Sequence, residues 1–175
     1  MALGTGLRRG ELLGLRWRDI ALLGGRVTVR EAYVRGTFQT PKSRKSMRTF
    51  ELGAVVVAAL NEQWQDTAYK ADTDLVFCHL ELGSPLDPSK LSRVFLRPAI
   101  AKAGIVKPFR AFHDLRHTSI THDAAAGNPQ AYVQMKAGHS QGAITERYIH
   151  AAAVMFPGAA DKTEARLFGA VEVES

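Results

Sequence analysis

Histidine and arginine side chains are concentrated in residues 113–150. This stretch contains five of the six histidines of the 175-residue chain. His113, Arg116 and His117 are three and four positions apart, so a helix would present all three on one face. Such a group of hydrogen-bond donors predicts a site for a negatively charged substrate.

A further histidine and a tyrosine follow the group. His139 lies in KAGHSQG, whose glycines are typical of a loop, and Tyr148 comes nine positions later in ITERYIH. A tyrosine close behind an anion site is a candidate nucleophile.

Three interpretations of this constellation are open from the residues alone. The histidines and the arginine are structural groups of a surface helix, or His113 and His117 bind zinc in a variant of the HExxH pattern, or an anion is gripped for attack by Tyr148. In the zinc pattern Asp114 replaces the glutamate, and Arg116 on the same face would repel a dication. Arginine favours the anion interpretation, because its planar donor fork matches a phosphate.

Composition indicates a globular chain with a polyanionic partner. The chain has 46% hydrophobic residues and a net charge of +6. Residues 1–50 carry 11 Lys and Arg against 3 Asp and Glu, whereas residues 51–100 carry 4 against 7. A single cysteine, Cys78, excludes an internal disulfide and fits a cytoplasmic protein. The sequence has no apolar run that predicts a membrane span and no signal peptide, so we expect no membrane partner.

A basic β-hairpin is predicted in the first third of the chain. Residues 26–34 alternate as a half-buried strand does, residues 35–47 form a turn-rich tip, and residues 48–52 return as a strand. The hairpin is either a solvated loop or a phosphate-contacting arm. The arm would use Arg35, Lys42, Arg44, Lys45 and Arg48.

The remaining pattern is mainly helical. A short amphipathic helix is predicted within residues 7–17, a core helix over 53–70, a buried strand over 75–78, and a helix over 88–103 with an apolar face. The helix that begins near His113 is predicted to end near Gly127. Further helices are predicted from Pro129 to Gly138 and around Tyr148.

Five motifs occur in an order and spacing that resemble a known family. They are TGLRRGELLGLRW at 5–17, PKSRKSMRTFEL at 41–52, HDLRHT at 113–118, AGHS at 137–140, and Tyr148. Together they resemble the catalytic domain of the tyrosine recombinases, the phage integrase family, over about residues 3–150. The resemblance implies an α+β, mainly α fold with a small antiparallel sheet near residues 26–52. It overrides the structural and zinc interpretations.

The resemblance also implies roles for the cationic residues. Arg8 and Arg116 match the arginines that clamp the scissile phosphate, where fixed guanidiniums stabilise the transition state more than the ground state. His139 would donate a further hydrogen bond, and His113 would accept or relay the tyrosine proton. Lys42 would protonate the leaving 5′ hydroxyl, although the nearby Lys45 is an alternative.

The remaining assignments concern the acid, the nucleophile and the DNA contacts. Glu11 matches the acidic position that supports the site. Tyr148 would attack the phosphate and form a 3′-phosphotyrosyl link, as in type IB topoisomerases, once nearby cations help it to ionise. The covalent bond conserves energy, so neither ATP nor a metal cofactor is expected. Arg9 joins the basic hairpin as an expected DNA contact.

The implied biology is site-specific DNA recombination or integration by a mobile genetic element. Its partners would be double-stranded DNA and further protomers, four in the synaptic complex. We expect a catalytic domain over residues 1–156 and a C-terminal tail over 157–175. The resemblance leads us to expect that the family's N-terminal core-binding domain and first helix are missing from this chain. The chain is therefore expected to be a monomeric fragment that binds duplex DNA weakly and cleaves inefficiently; the alternative is a non-catalytic DNA-binding remnant.

Overall fold

The computed structural model describes residues 1–40, 47–106, 108–138 and 158–169. Its N-terminal part has two short helices, α1 (Ala2–Thr5) and α2 (Arg9–Leu13), followed by a 3₁₀ turn at Trp17–Asp19. The helix predicted within residues 7–17 is therefore shorter than expected. Gly14 ends α2, and the chain then turns so that Trp17 reaches the core.

The strands form two small antiparallel sheets. Strands β1 (Ile20–Ala21), β2 (Arg26–Val29) and β5 (Arg48–Glu51) pair in the order β1-β2-β5, while β3 (Ala32–Val34) pairs with β4 (Thr37–Gln39). The prediction of one continuous strand over residues 26–34 was wrong. The strand is interrupted at residues 30–31, and its two halves join different sheets. The predicted return strand matches β5.

The central helix α3 (Ala54–Asp66) begins after Gly53 and ends close to the predicted position. The strand predicted over 75–78 is not an element of either sheet. Leu75 and Cys78 make only isolated bridges, to Arg16 and Pro85, although both side chains are buried. Hydrophobicity predicted burial correctly here, and the missing partner strand explains why no regular strand forms.

One uninterrupted helical run follows, formed by α4 (Pro88–Lys90), a π-helical segment (Leu91–Leu96) and α5 (Arg97–Lys102). Asp87 caps its N-terminus by accepting hydrogen bonds from the backbone N–H groups of Ser89 and Lys90. The apolar face predicted here does not enter the main core, since Val94 is 52% and Phe95 64% exposed.

Three further helices complete the described fold: α6 (Phe112–Ala125), α7 (Gln130–Ala137) and α8 (Ala159–Phe168). Gly138 ends α7 in the left-handed conformation, with φ 62°, as the sequence predicts. The segment expected to be a tail contains α8, which packs against α1, α3 and α6 of its own chain. None of the described helices has the length and hydrophobicity needed to cross a membrane.

The main core lies between the three-stranded sheet and the helices α2 and α3. Val27 and Phe50 face each other across β2 and β5, and Trp17 packs edge-on against Trp64 with ring centroids 4.7 Å apart. Burial of these large apolar groups anchors α2 against the sheet. The predicted mainly helical α+β fold with a small antiparallel sheet is confirmed.

Candidate active site

A buried glutamate lies at the centre of the predicted site. Glu11 of α2 is 8% exposed and accepts hydrogen bonds from the guanidiniums of Arg8 and Arg48 at distances from 2.8 to 3.1 Å. Its Oε2 atom also accepts the Arg8 backbone N–H at 2.8 Å. Together with Arg116, these residues form what we call the central cluster: Arg8, Glu11, Arg48 and Arg116.

The charge state of Glu11 follows from two opposing influences. Burial favours the neutral acid and would raise its pKa. Hydrogen bonds and positive charge from Arg48 and Arg8 outweigh burial, so the pKa of Glu11 lies below its ordinary value. Glu11 is therefore ionised at neutral pH and balances part of the positive charge that the arginines bring together.

The C-terminus of α7 orients all three arginines. The backbone carbonyls of residues 136–138 accept hydrogen bonds, in order, from Arg48 Nε at 3.0 Å, Arg116 Nη2 at 2.5 Å and Arg8 Nη2 at 3.2 Å. The last carbonyls of a helix have no partner within the helix and carry partial negative charge. Three consecutive carbonyls thus fix three guanidiniums that would otherwise repel one another.

Arg116 is the most deeply placed arginine of the predicted phosphate clamp. It is 9% exposed, projects from α6, and also donates from Nη1 to the Gly6 carbonyl at 2.7 Å. Burial, and next the positive charge of Arg8, lower the pKa of Arg116 to about 10. The side chain therefore remains a cation at neutral pH, held beside a second cation.

Two histidines of α6 contact each other next to this cluster. The Nε2 atoms of His113 and His117 are 3.0 Å apart, and both side chains are exposed. One ring donates and the other accepts, in an order set by their tautomers. The four-residue spacing that predicted a shared helical face thus brings the two rings into direct contact.

An open cavity of about 320 Å³ lies over the exposed side of the arginines. It is lined by Arg8, Arg9, Arg110, Ala111, Phe112, His113 and Arg116. The Arg8 side chain is 47% exposed and can reach a molecule in this space. Ala111 has a positive φ of 47°, a conformation uncommon for residues other than glycine, at the point where the chain enters α6. A cavity with this lining suits an anion.

The zinc interpretation of His113 and His117 requires a third ligand. Within residues 1–40, 47–106, 108–138 and 158–169, no group of three or more His, Cys, Asp or Glu side chains is placed to hold a metal ion. The guanidinium of Arg116 instead shares the cavity wall with His113.

The sequence of residues 1–154 matches the family model described as the phage integrase family. The chain belongs to the phage integrase family. Among curated relatives, it is 31% identical to a tyrosine recombinase XerC-like protein of Caldanaerobacter subterraneus subsp. tengcongensis over 174 residues, covering 86% of this chain and 44% of the relative. It is 31% identical to a putative prophage phiRv2 integrase of Mycobacterium tuberculosis over 157 residues, with 87% and 41% covered. The chain thus spans less than half the length of these relatives.

Two solved recombinase structures have the same fold as this integrase-family chain. The Tn1549 transposon integrase in complex with circular intermediate DNA superimposes with a TM-score of 0.67 at 24% identity, covering 94% of this chain and 57% of that one. XerA recombinase superimposes with a TM-score of 0.61 at 23% identity, covering 97% and 55%. The recognition of the family from five short motifs is therefore confirmed.

Apart from Arg48, the predicted site residues of this integrase-family chain fall into three groups. Arg8, Glu11, His113 and Arg116 lie together as expected. Arg9 and Arg35 are exposed, Arg35 in the β3–β4 turn with φ 50°. Five predictions concern residues outside the described ranges: Lys42, Arg44, Lys45, His139 and Tyr148.

Arg48 has a different position from the one that the sequence predicted. We expected an exposed side chain on a DNA-contacting arm, but its side chain is only 8% exposed and pairs with Glu11 at 2.8 Å. Its place at the start of β5, opposite Val29 in β2, directs it inward. This geometry gives Arg48 a supporting role inside the site.

Arg110 was missed as a residue of the site. It lines the cavity and pairs with Asp114, whose Oδ1 lies 2.9 Å from Arg110 Nη2. The available signal was its spacing, since it precedes His113 by three positions in a basic context.

Proposed function

We propose that this chain carries the chemistry of a site-specific DNA recombinase, which cleaves and rejoins DNA through a 3′-phosphotyrosyl intermediate. One observation carries the proposal: Arg8 and Arg116 are held by adjacent carbonyls of α7 and line the same open cavity as His113. Two fixed cations at one cavity match a phosphate whose negative charge increases in the transition state.

The proposed reaction exchanges one phosphoester for another. The Tyr148 oxygen forms a bond to phosphorus and its proton passes to His113. The bond from phosphorus to the 5′ oxygen breaks, and Lys42 supplies the proton that the 5′ oxygen needs. Rejoining reverses these steps with the 5′ hydroxyl of a second strand. Arg8, Arg116 and His139 bind the non-bridging oxygens throughout, and Glu11 and Arg48 hold the arginines in place.

Tyr148 is proposed as the nucleophile on its position in the family motif. Among the described tyrosines, Tyr132 is 2% exposed, and burial followed by the charge of Asp123 raises its pKa far above the ordinary range. Tyr33 lies in β3 and packs against Phe38, with ring centroids 5.0 Å apart. The burial of Tyr132 therefore disfavours a phenolate that attacks a phosphate.

Double-stranded DNA is the proposed substrate, and further copies of the protein bound to that DNA are the proposed partners. A solved relative of this fold is an integrase in complex with circular intermediate DNA. The net charge of +6 also favours a polyanion. We propose that Arg9 and Arg35, whose side chains are exposed, contact DNA phosphates together with Arg44 and Lys45.

The deciding experiment uses a DNA duplex with a nick beside the scissile phosphate, so that the cleaved end diffuses away and the covalent intermediate accumulates. The wild-type chain is expected to form a covalent adduct at Tyr148, located by peptide mass spectrometry. Tyr148→Phe should form none while it still binds the duplex, because it lacks the attacking oxygen. Cleavage should persist in EDTA.

Tyr33→Phe is the matched control, since it removes the same hydroxyl from a strand and should leave adduct formation unchanged. An adduct that survives Tyr148→Phe would reject the assignment of the nucleophile. A wild-type chain that binds the duplex and forms no adduct would favour a non-catalytic DNA-binding protein. Loss of cleavage in EDTA would indicate that the reaction requires a metal ion.

A further inference from the structure

A buried ion pair joins α6 to α7 at a distance from the cavity. Lys136 Nζ lies 3.0 Å from Oδ1 and 2.9 Å from Oδ2 of Asp123, and each side chain is 2% exposed. Lysine is seldom buried to this degree without a charged partner. Burial lowers the pKa of Lys136, and the Asp123 carboxylate opposes that shift.

Asp123 also accepts neutral hydrogen bonds from a third helix and from the loop before α7, where the donor is Asn128 Nδ2 at 3.5 Å. Thr163 of α8 donates its hydroxyl to Asp123 Oδ1. Asn128, which precedes α7, donates to Thr163 Oγ1 at 3.1 Å and to the Ala159 carbonyl at 3.4 Å. The Asp123 carboxylate therefore has hydrogen-bond donors in addition to Lys136. A buried ion pair needs such additional hydrogen bonds to be stable.

The position of Lys136 in α7 connects this network to the central cluster. Its own carbonyl accepts the hydrogen bond from Arg48, and the next two carbonyls accept those from Arg116 and Arg8. Its side chain points the other way, into Asp123. One residue therefore contacts the arginines through its backbone and α6 through its side chain.

Asp123 makes the same connection from the opposite side. It lies seven positions after Arg116 on α6, two helical turns away and so on nearly the same face. The Asp123–Lys136 contact therefore ties α7 to α6 next to the carbonyls that accept hydrogen bonds from the guanidiniums.

We propose that Lys136 is a positioning residue for the central cluster, acting with Asp123 to set the register of the α7 carbonyls that orient Arg8, Arg48 and Arg116. The catalytic consequence rests on the proposed function. The structural consequence does not, because the orientation of Arg48 is measurable without any reaction.

The experiment replaces the ion pair by apolar side chains of similar size, Asp123→Leu with Lys136→Met. Replacing both partners avoids an unpaired buried charge, and such exchanges are often neutral for stability. The matched control is Asp66→Leu with Lys70→Met, the same substitutions at exposed positions outside the network. Asp123→Asn, which keeps the shape and weakens the attraction to Lys136, is the second test variant if the double variant does not fold.

Two readouts separate positioning from a merely structural role. The first is solvent exchange of the Arg48 Nε–H, observed by NMR in the free protein. We expect it to accelerate by at least about tenfold, as for the loss of one hydrogen bond to a charged group. The second is the single-turnover cleavage rate at saturating nicked DNA. It should fall by about 10- to 100-fold with unchanged DNA affinity.

The control should change neither readout. Accelerated exchange with wild-type folding would support the proposal even if the wild-type chain forms no adduct, an outcome that counts only against the proposed function. A folded test variant with wild-type Arg48 exchange and wild-type cleavage would overturn the proposal and leave the ion pair a purely structural feature.

Discussion

Two carboxylates in this protein each pair with two arginines, and their surroundings differ. In the central cluster, Glu11 lies between Arg8 and Arg48. Immediately before β3, Glu31 lies between Arg16 and Arg18, at 3.5 and 2.9 Å; we call these three residues the strand-side cluster. The Glu11 and Arg48 side chains are 9% and 8% exposed, whereas those of Glu31 and Arg18 are 15% and 43% exposed.

The burial of a carboxylate between two arginines, rather than the pairing itself, therefore determines how much the ion pairs contribute to stability. Water and dissolved salt weaken the ion pairs of the strand-side cluster. Its long side chains also lose conformational entropy when they are held in one geometry. In the central cluster the Glu11–Arg48 pair is buried, although Arg8 is 47% exposed, so the charges of Glu11 and Arg48 depend strongly on each other. Four measurements test whether burial causes this difference.

The largest expected effect is on the free energy of unfolding. Glu11→Gln should lower it by about 3–5 kcal/mol, because it leaves Arg48 buried without its counter-charge. Glu31→Gln, the matched change in the strand-side cluster, should lower it by less than about 1 kcal/mol. Urea denaturation of the three proteins measures both values. Equal losses would mean that burial is not the determining difference.

The second effect is on the proposed cleavage rate. Arg116→Lys keeps a positive charge and loses the two-pronged donor that reaches both the Gly6 and Ala137 carbonyls. We expect the rate at saturating nicked DNA to fall by about 10²–10³-fold, with little change in DNA affinity. Arg18→Lys in the strand-side cluster should change neither quantity. Parallel losses of rate and affinity in Arg116→Lys would indicate a binding role.

The third effect is the pH dependence of stability, and two carboxyls should show opposite signs. The pKa of Glu11 is below its ordinary value of 4.5, so its stabilisation is present above that pH and is lost as the pH falls through the folded-state pKa. Burial raises the pKa of Asp19 above 3.8 and outweighs hydrogen bonding to Arg16 and the charge of Arg30. Ionised Asp19 therefore lowers stability as the pH rises through its folded-state pKa.

The free energy of unfolding, measured at several values between about pH 3 and about pH 7, tests both signs. Carboxyl groups with ordinary or moderately shifted pKa values titrate in this interval. The advantage of wild type over Glu11→Gln should grow with pH, and its advantage over Asp19→Asn should shrink. Two parallel curves would show that the surroundings of these carboxyls do not control their ionisation.

The smallest expected effect is the response to salt. At about 1 M NaCl the screening length is about 3 Å, so the small effect of Glu31→Gln should vanish. The effect of Glu11→Gln should persist, since the contact between Glu11 and Arg48 is buried. Denaturation at low and high salt compares the two variants, and a large salt response of Glu11→Gln would show that water reaches the buried pair.

Local signals explain which parts of this structure could be predicted from the sequence. Pro129 and Gly138 bracket α7, and the three- and four-residue spacing of His113, Arg116 and His117 gave the correct face of α6. The five motifs gave the family because their order and spacing are specific. These predictions depend only on residues that are close together in the chain or on a matching pattern.

Contacts between distant residues explain the errors. Arg48 looked like part of an exposed arm, because nothing near it in sequence reveals that it meets Glu11 and the carbonyl of Lys136. The apolar residues of the 88–102 helical run predicted burial, yet burial depends on what the rest of the fold places opposite them. Lys136 itself resembles an ordinary basic residue at a helix end, and only its pairing with Asp123 marks it as interior.

The left-handed turn that ends α7 has a consequence for which sequences this position tolerates. At Gly127, with φ 77°, an added Cβ would meet nothing within 4 Å, so only the backbone conformation disfavours other residues. At Gly138 an added Cβ would lie 2.8 Å from Cζ and from Nη1 of Arg48. Asparagine, which tolerates left-handed backbone, is therefore acceptable at 127 and collides at 138. A residue with a Cβ at position 138 would have to displace the Arg48 guanidinium from its contacts with Glu11 and the Lys136 carbonyl.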